Sequence, residues 1–385
     1  MVVLILAFLL ISGQFILSNS KVLQHPALDF SVLYNAGWQV LNKQDPYLQK
    51  ADSSFHTPPP SLLVFALLPL LPIGASQAAW YILSFAAFIL GSYFLFKTLE
   101  KFGGSTAFHA LDGKVWLVYL SLVLVYFPFR FNLGSGEVNN FLFLFLAMVF
   151  YYWQQRRELG IVLPLALGII IKITPLFFLL VFFLERRWKL ILFTGIWLMA
   201  LSLMTVLFFG WEIFTSYVAV IPRYFNLLTP VYYNQSLAAT VGRISHDLLV
   251  SRWLSIVTLA VALLVFVSYQ SKLPKNAFKT DVLVWNISIL YTLIFSTFAW
   301  QHHFTIAIFP LVTTLSLLVQ LKNSKRFFFL LTLSYVLLGI NIKSSTIFTD
   351  WGLPGAIILS HVFWGALLLL LLNYRLASRL IAEKQ

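Results

Sequence analysis

The chain is 385 residues long, 60% hydrophobic and 17% aromatic, with only 10% charged residues and a mean hydropathy of +0.87. A soluble globular domain is excluded, because so little polar surface cannot cover so much apolar surface. The net charge of +13 comes without a basic amphipathic stripe, which argues against nucleic acid, and the lack of cysteine excludes disulfides, thiolate metal sites and cysteine nucleophiles.

Hydropathy predicts an all-α, polytopic transmembrane helical bundle, one domain over 1–385, with about twelve spans and one re-entrant or interfacial segment. The first apolar run, 2–18, has no basic n-region and no small-residue cleavage site, so it reads as a retained helix rather than a signal peptide. The segment 61–71 follows, flanked by Pro58, Pro59, Pro60, Pro69 and Pro72, and is too short to span. The further spans are expected at roughly 75–96, 115–129, 138–153, 159–171, 173–184, 188–209, 252–269, 281–299, 303–320, 327–342 and 355–373. With a cytoplasmic N-terminus, the inner loops carry 17 of the 26 basic residues, including Lys97, Lys101, Arg156, Arg157, Arg186, Arg187, Lys272, Lys275, Lys279, Lys322 and Lys384. Cytoplasmic loops favour Lys and Arg, so both termini are expected inside. Counting 61–71 as a full span would reverse that assignment. Two long outer loops, 18–61 and 210–251, then face the other side, with shorter ones at 130–137, 300–303 and 343–354.

Polar residues of unusual type gather on that outer side. Asp29 lies about ten residues beyond the first span, followed by Tyr34 and an expected interfacial helix to about Leu41. It reads either as an N-cap for a helix starting at Phe30 or as a general base at an apolar boundary, where burial tunes a carboxylate for proton abstraction. Asp45 before Pro46 reads as a turn former. Arg130, Asn132, Gly134, Gly136, Glu137, Asn139 and Asn140 join two spans; the glycines let backbone approach a ligand, and the asparagines open the next helix at its positive end. The bland reading there is a capped loop with a snorkelling Arg130.

Lys172, in Gly168-Ile-Ile-Ile-Lys172-Ile-Thr174-Pro175, sits at the tip of a helical hairpin and reads as a phosphate contact or as a snorkelling cation. Arg223 and Arg243 are candidates for a phosphate grip or for interface anchors. Asn234-Gln235-Ser236 also has the form of a glycosylation triplet. His302 and His303 are expected on different sides of a helix, which disfavours a metal site and suits a hydrogen bond to a phosphate or sugar. Lys343 and Asp350 are not distinguishable from ordinary loop charges. No nucleotide loop, nucleophile elbow, zinc cluster or internal repeat is present.

Taken in order, these motifs resemble glycosyltransferase family 87, membrane glycosyltransferases of the GT-C type. The resemblance runs from Asp29 with Tyr34, through Asp45-Pro46-Tyr47, Phe55-His-Thr-Pro-Pro, Pro69-Leu-Leu-Pro72, Gly136-Glu137-Val-Asn139, Gly168 to Pro175 and Asn234-Gln235-Ser236 with Arg243, to His302-His303. It implies a polyprenyl-phosphate sugar donor, a lipid or glycan acceptor and transfer of a hexose, commonly mannose, at the outer face of the bacterial cytoplasmic membrane. It implies Asp29 as the acceptor base, Lys172, Arg243 and His302 or His303 as donor-phosphate contacts, and Tyr34, Arg130, Glu137, Asn139, Asn234 and Gln235 as substrate-binding residues. No cofactor is expected, and nothing supports a divalent metal. Two departures bear on the donor: Glu137 stands where the family usually has Gln, and Thr57 where an aromatic is usual. A transporter or lipid-linked glycan flippase is the competing class; it would be expected to show inverted repeats or paired broken helices with intramembrane charges.

Overall fold

The structure, a computed structural model, describes residues 2–19, 25–48, 55–104, 109–226, 230–275, 277–321, 325–342 and 346–383. The readings made at Lys322, Lys343 and Lys384 lie outside them, as does the side chain of Arg223. The described chain is helical throughout, and the one β-type pairing among the described residues is an isolated bridge between Asn234 and Trp300.

The helices run α1 Val2–Asn19, α2 Leu28–Leu41, α3 Leu62–Phe65, α4 Ile73–Gly103, α5 Gly113–Val125, α6 Phe127–Ser135, α7 Asn139–Gln154, α8 Glu158–Ile171, α9 Phe177–Leu184, α10 Trp188–Phe209, α11 Glu212–Asn226, α12 Leu237–Ser245, α13 Leu248–Lys272, α14 Phe278–Ile294, α15 Ile308–Gln320, α16 Lys325–Gly339, α17 Thr346–Thr349, α18 Gly352–Leu359 and α19 His361–Ala382. Among the described residues five helical stretches are long and apolar enough to cross a membrane: Ile73–Gly103, Trp188–Phe209, Leu248–Lys272, Gln301–Gln320 and His361–Ala382. A sixth results if α5 and α6, bent by 70° at their junction, count together. The other apolar stretches are shorter helices. α10 and α13 bury only 17% and 6% of their most apolar windows inside the protein. Helices so apolar and so uncovered need lipid as their solvent.

Several expected boundaries move. The segment 130–137, expected as a loop, is mostly α6, because Tyr126 adopts an extended backbone and Pro128 sits where a new helix tolerates proline. The span expected at 281–299 stops at Ile294. The span expected at 355–373 is broken at Ser360, and its second part runs on to Ala382. α13 starts four residues early because the Asp247 carboxylate caps it, accepting from the amides of Leu249 at 2.7 Å and Val250 at 3.1 Å. The segment 61–71 is a broken run of α3 between 3-10 turns at Pro59–Ser61 and Leu68–Leu70, as its prolines dictate.

The chain forms two compact units. One comprises 9–95 and 130–227. In it α7 packs on α8, α8 on α10, and α2 lies on α3 and the Leu68–Leu70 turn. Phe30, Leu33, Ala36, Gly37 and Val40, at helical spacing, form the buried face of α2. A Cβ on Gly37 would overlap the Phe65 carbonyl, so backbone meets backbone there.

The other unit comprises 1–8, 96–129 and 228–385. Its centre is α14, α15, α16 and α19. Asn286, Thr313, Thr314 and Asn373 form a fully buried polar cluster across three of these helices. Asn286 Nδ2 donates to Asn373 Oδ1 at 2.9 Å, and Thr313 Oγ1 donates to Asn286 Oδ1 at 2.7 Å. In an apolar bundle, such bonds fix which helix faces meet.

Candidate active site

The first unit gathers Asp29, Ser135, Glu137, Asn139 and Lys172 at one place. Asp29 lies in the first turn of α2, whose N-cap is Ala27. The N-cap reading of Asp29 is therefore corrected: the helix begins at Leu28, two residues before the Phe30 start that an Asp29 cap would give. The entry to α2 is fixed instead by Gln77 of α4, which accepts from the Ala27 amide at 2.8 Å and donates to the His25 carbonyl at 3.3 Å.

Gly136 sets the distance between α2 and the residues facing it. Its φ of +77° lies in the left-handed region, and a Cβ there would come within 2.6 Å of Phe30 Cβ. Its carbonyl accepts from the Trp80 indole at 2.7 Å, and the Gly134 carbonyl accepts from the Tyr81 hydroxyl at 3.2 Å. The turn thereby holds Ser135 and Glu137 beside the start of α2.

α7 starts at Asn139 directly after this turn. The Asn132 carbonyl oxygen of the side chain accepts from Asn139 twice, from the amide at 3.3 Å and from Nδ2 at 2.8 Å. That orientation aims Asn139 Oδ1 at Lys172, whose ammonium donates to it at 2.9 Å. Lys172 is the C-cap of α8 in an extended conformation, where Thr174 and Pro175 reverse the chain. The reversal packs Pro175 near Gly168, where a Cβ would stand 3.5 Å from the proline ring in ordinary contact. The ammonium also stands 4.0 Å from Glu137 Oε1, and both side chains are largely buried. The other Glu137 oxygen accepts from the Val138 amide.

Asp29 is half-buried. Burial pushes its carboxyl up from 3.8 to about 7, and the Glu137 charge pushes the same way; a Ser135 hydrogen bond and the Lys172 charge pull it back. Among the described residues no basic side chain lies within 4.0 Å of it. A carboxyl balanced near neutrality and not neutralised by an ion pair can take up and give back a proton.

The remaining candidates of this unit lie differently. The Tyr34 hydroxyl donates to the Leu71 carbonyl at 3.0 Å and so ties α2 to the turn beneath it. Arg130 is half-buried on α6. Asp45 forms the expected turn, accepting from the Tyr47 amide at 2.8 Å, and the Tyr47 hydroxyl donates to the Thr57 carbonyl at 2.8 Å.

The second unit gathers Asn234, Gln235, Arg243, His302 and His303. Arg243 is 7% exposed; Nε donates to Ser360 Oγ at 3.0 Å, Nη1 to the carbonyls of Val231 at 2.9 Å and Asn234 at 2.8 Å, and Nη2 to Thr240 Oγ1 at 3.2 Å. Burial pulls it down to about 10, so it keeps its charge at neutral pH. Asn234, fully buried, accepts from the amides of Ser236 and Ala299, each at 3.2 Å. This leaves the glycosylation triplet with an inaccessible acceptor. Gln235 donates to the carbonyls of Tyr232 and Leu359 and accepts from the Phe363 amide, spanning the break at Ser360. These three residues brace the 231–236 segment against 297–300 and against the start of α19.

His302 and His303 open a 3-10 turn, Gln301–Ala307, with His302 buried and His303 half-buried. Their rings meet edge to face at 4.6 Å, and Trp300 stacks parallel to His302 at 6.5 Å. The expectation that the rings point to different sides is thus corrected. Sequence reasoning placed Asn132 within the expected loop 130–137 without seeing that it orients Asn139, and gave Ser135 no role. It gave no weight to Trp80, Gln77, Tyr232 or Ser360, which lie inside apolar runs or at helix ends with no motif around them.

A profile of glycosyltransferase family 87 matches residues 55–297. The chain belongs to glycosyltransferase family 87. Membership supports glycosyltransferase activity over the transporter alternative. The matched region of family 87 contains Glu137, Asn139, Lys172, Asn234, Gln235 and Arg243, while Asp29, Tyr34, His302 and His303 lie outside it. No curated protein and no solved structure matches the chain significantly.

Proposed function

We propose that this protein is a GT-C type hexosyltransferase of a bacterial cytoplasmic membrane. In this reading it transfers a mannose-like hexose from a polyprenyl-phosphate donor to a lipid or glycan hydroxyl at the outer face, from a single domain of about twelve spans with both termini inside. The observation that carries the reading is Asp29, a half-buried carboxyl balanced near neutral pH, with an ammonium, Lys172, in its electrostatic neighbourhood.

The roles follow from the chemistry of the transfer. Asp29 removes the proton from the acceptor hydroxyl as its oxygen bonds to the anomeric carbon. The bond from that carbon to the phosphate oxygen breaks, and its electron pair leaves with the polyprenyl phosphate. Lys172 stabilises the charge that grows on the departing phosphate. One displacement of this kind inverts the anomeric centre. Asn139 aims the ammonium. In the second unit, Arg243, Asn234 and Gln235 act in this reading as braces for the turn that carries His302 and His303.

The test is transfer by the purified protein in lipid nanodiscs, with a panel of polyprenyl-phosphate sugars that includes mannose and with membrane lipid and glycan acceptors. Asp29→Asn is expected to lower transfer by about a hundredfold or more. Undiminished transfer by that variant overturns the reading.

A further inference from the structure

Three charged groups meet in the first unit, and they are not paired as simple electrostatics would pair them. A single ammonium close to a half-buried carboxylate is expected to close into an ion pair, since each charge lacks water and gains most from the other. Such a pair would disable two functions at once, the base on one side and the phosphate cation on the other. Lys172 instead stands 4.0 Å from Glu137 and donates to Asn139 Oδ1 at 2.9 Å. Both holders are themselves held: Glu137 by the Val138 amide, Asn139 by Asn132.

We infer that Glu137 is a positioning residue that keeps the Lys172 ammonium from pairing with Asp29, leaving the carboxylate free for an acceptor hydroxyl and one ammonium donor free for a phosphate oxygen. The inference rests on the reading of Asp29 as acceptor base. Among the described residues of the first unit, few other titratable groups surround Asp29. α3 and the Leu68–Leu70 turn, packed on α2, carry no titratable side chain. α4 contributes Tyr81, whose hydroxyl is engaged by the Gly134 carbonyl; α6 contributes Arg130; and His25 is exposed on the chain before α2. Glu137 and Lys172 are the charges that act on Asp29.

Removing the Glu137 charge has two effects of the same sign on Asp29. The repulsion disappears, and Lys172 becomes free to turn toward the carboxylate; both stabilise the ionised form. The protonated-carboxyl infrared band that is lost in Asp29→Asn reports this directly on the full-length protein in nanodiscs, with no donor needed. Its titration midpoint is expected near 7 in the parent. It should fall by about one pH unit or more in Glu137→Gln and stay within about 0.3 of the parent in Glu137→Asp. Glu137→Ala gives the same reading where Glu137→Gln does not fold.

A midpoint that stays in place or rises in the charge-removing variants overturns the inference, and so does a fall of the same size when Glu137→Gln is made in a Lys172→Met background, because lost repulsion alone acts there while no ammonium is left to turn toward the carboxylate. With polyprenyl-phosphate mannose as donor, the alkaline plateau of transfer is expected to drop about tenfold in Glu137→Gln, with the acidic limb displaced downward like the band. Transfer that survives in Asp29→Asn sinks the functional reading alone and leaves the titration standing, so the two failures are distinguishable.

Discussion

At the scale of single residues, Asp29 combines a functional requirement with a structural cost. Its carboxyl titrates at about 7 in the folded protein against an ordinary value of 3.8. Between these values the folded chain holds a proton that the unfolded chain has released. The associated stability is fully present below pH 3.8 and is lost as pH rises through about 7. Catalysis by the ionised form runs the other way, with the rate rising through the same pH. Asp29→Asn places a neutral amide of nearly the same shape where the charge is costly. It should raise the melting temperature at pH 8 by a few degrees and change it much less at pH 5, where the native carboxyl is already protonated. Thermal unfolding at the two pH values checks this. An equal shift at both would mean that the amide acts through contacts and not through charge.

At the scale of elements, the turn between α6 and α7 controls where α2 stands. Gly136 is needed twice over, for its positive φ and for the close passage of Phe30. Gly136→Ala is expected to cost about 1–3 kcal/mol in backbone strain and to displace Asp29 from Ser135 and Glu137, lowering transfer by about tenfold or more. Gly195→Ala on α10, where a Cβ would meet nothing within 4 Å, serves as the control and should leave transfer unchanged. Comparable loss in both variants would remove the turn's special role.

The same turn shows what a sequence discloses and what it hides. That Gly136, Glu137 and Asn139 on one side and Lys172 on another are unusual positions was legible from polar residues placed between apolar runs, where their burial is costly without a purpose, while only the family resemblance joined them. That Gly136 touches Phe30 was not legible, because the contact joins residues a hundred positions apart through backbone geometry. Arg243, Asn234 and Gln235 carry the residue types of a ligand site, yet their hydrogen bonds all run to neighbouring protein groups. The type of a side chain does not tell whether a ligand or a carbonyl satisfies it. The break at Ser360 is equally silent in hydropathy, since Leu359 and Val362 continue the apolar run and only the bonds from Gln235 and Arg243 reveal the interruption.

At the scale of the whole molecule, the distribution of charge along the chain makes the orientation testable. The absence of cysteine means that any introduced thiol is the sole reporter. Asn42, after α2, and Ser245, at the end of α12, are exposed and fall in the two long loops expected outside; Ser271, beside Lys272 at the end of α13, is exposed and falls in a basic loop expected inside. Positive charge is retained on the cytoplasmic side during insertion, so these loops should partition by their Lys and Arg content. A membrane-impermeant maleimide applied to intact cells is expected to label Asn42→Cys and Ser245→Cys, and to reach Ser271→Cys only after the membrane is opened. The opposite pattern would move Asp29 to the cytoplasmic side, where the acceptor and donor would have to be cytoplasmic too. Labelling of Asn42→Cys and Ser245→Cys on opposite sides would mean an odd number of crossings between α2 and α12, so that one of the short helices α7, α8 and α9 would fail to cross or the segment 61–71 would be a true span. The short, proline-broken helices observed at 61–71 argue against the second case, since an interrupted run of about eleven residues covers roughly half of the hydrocarbon thickness.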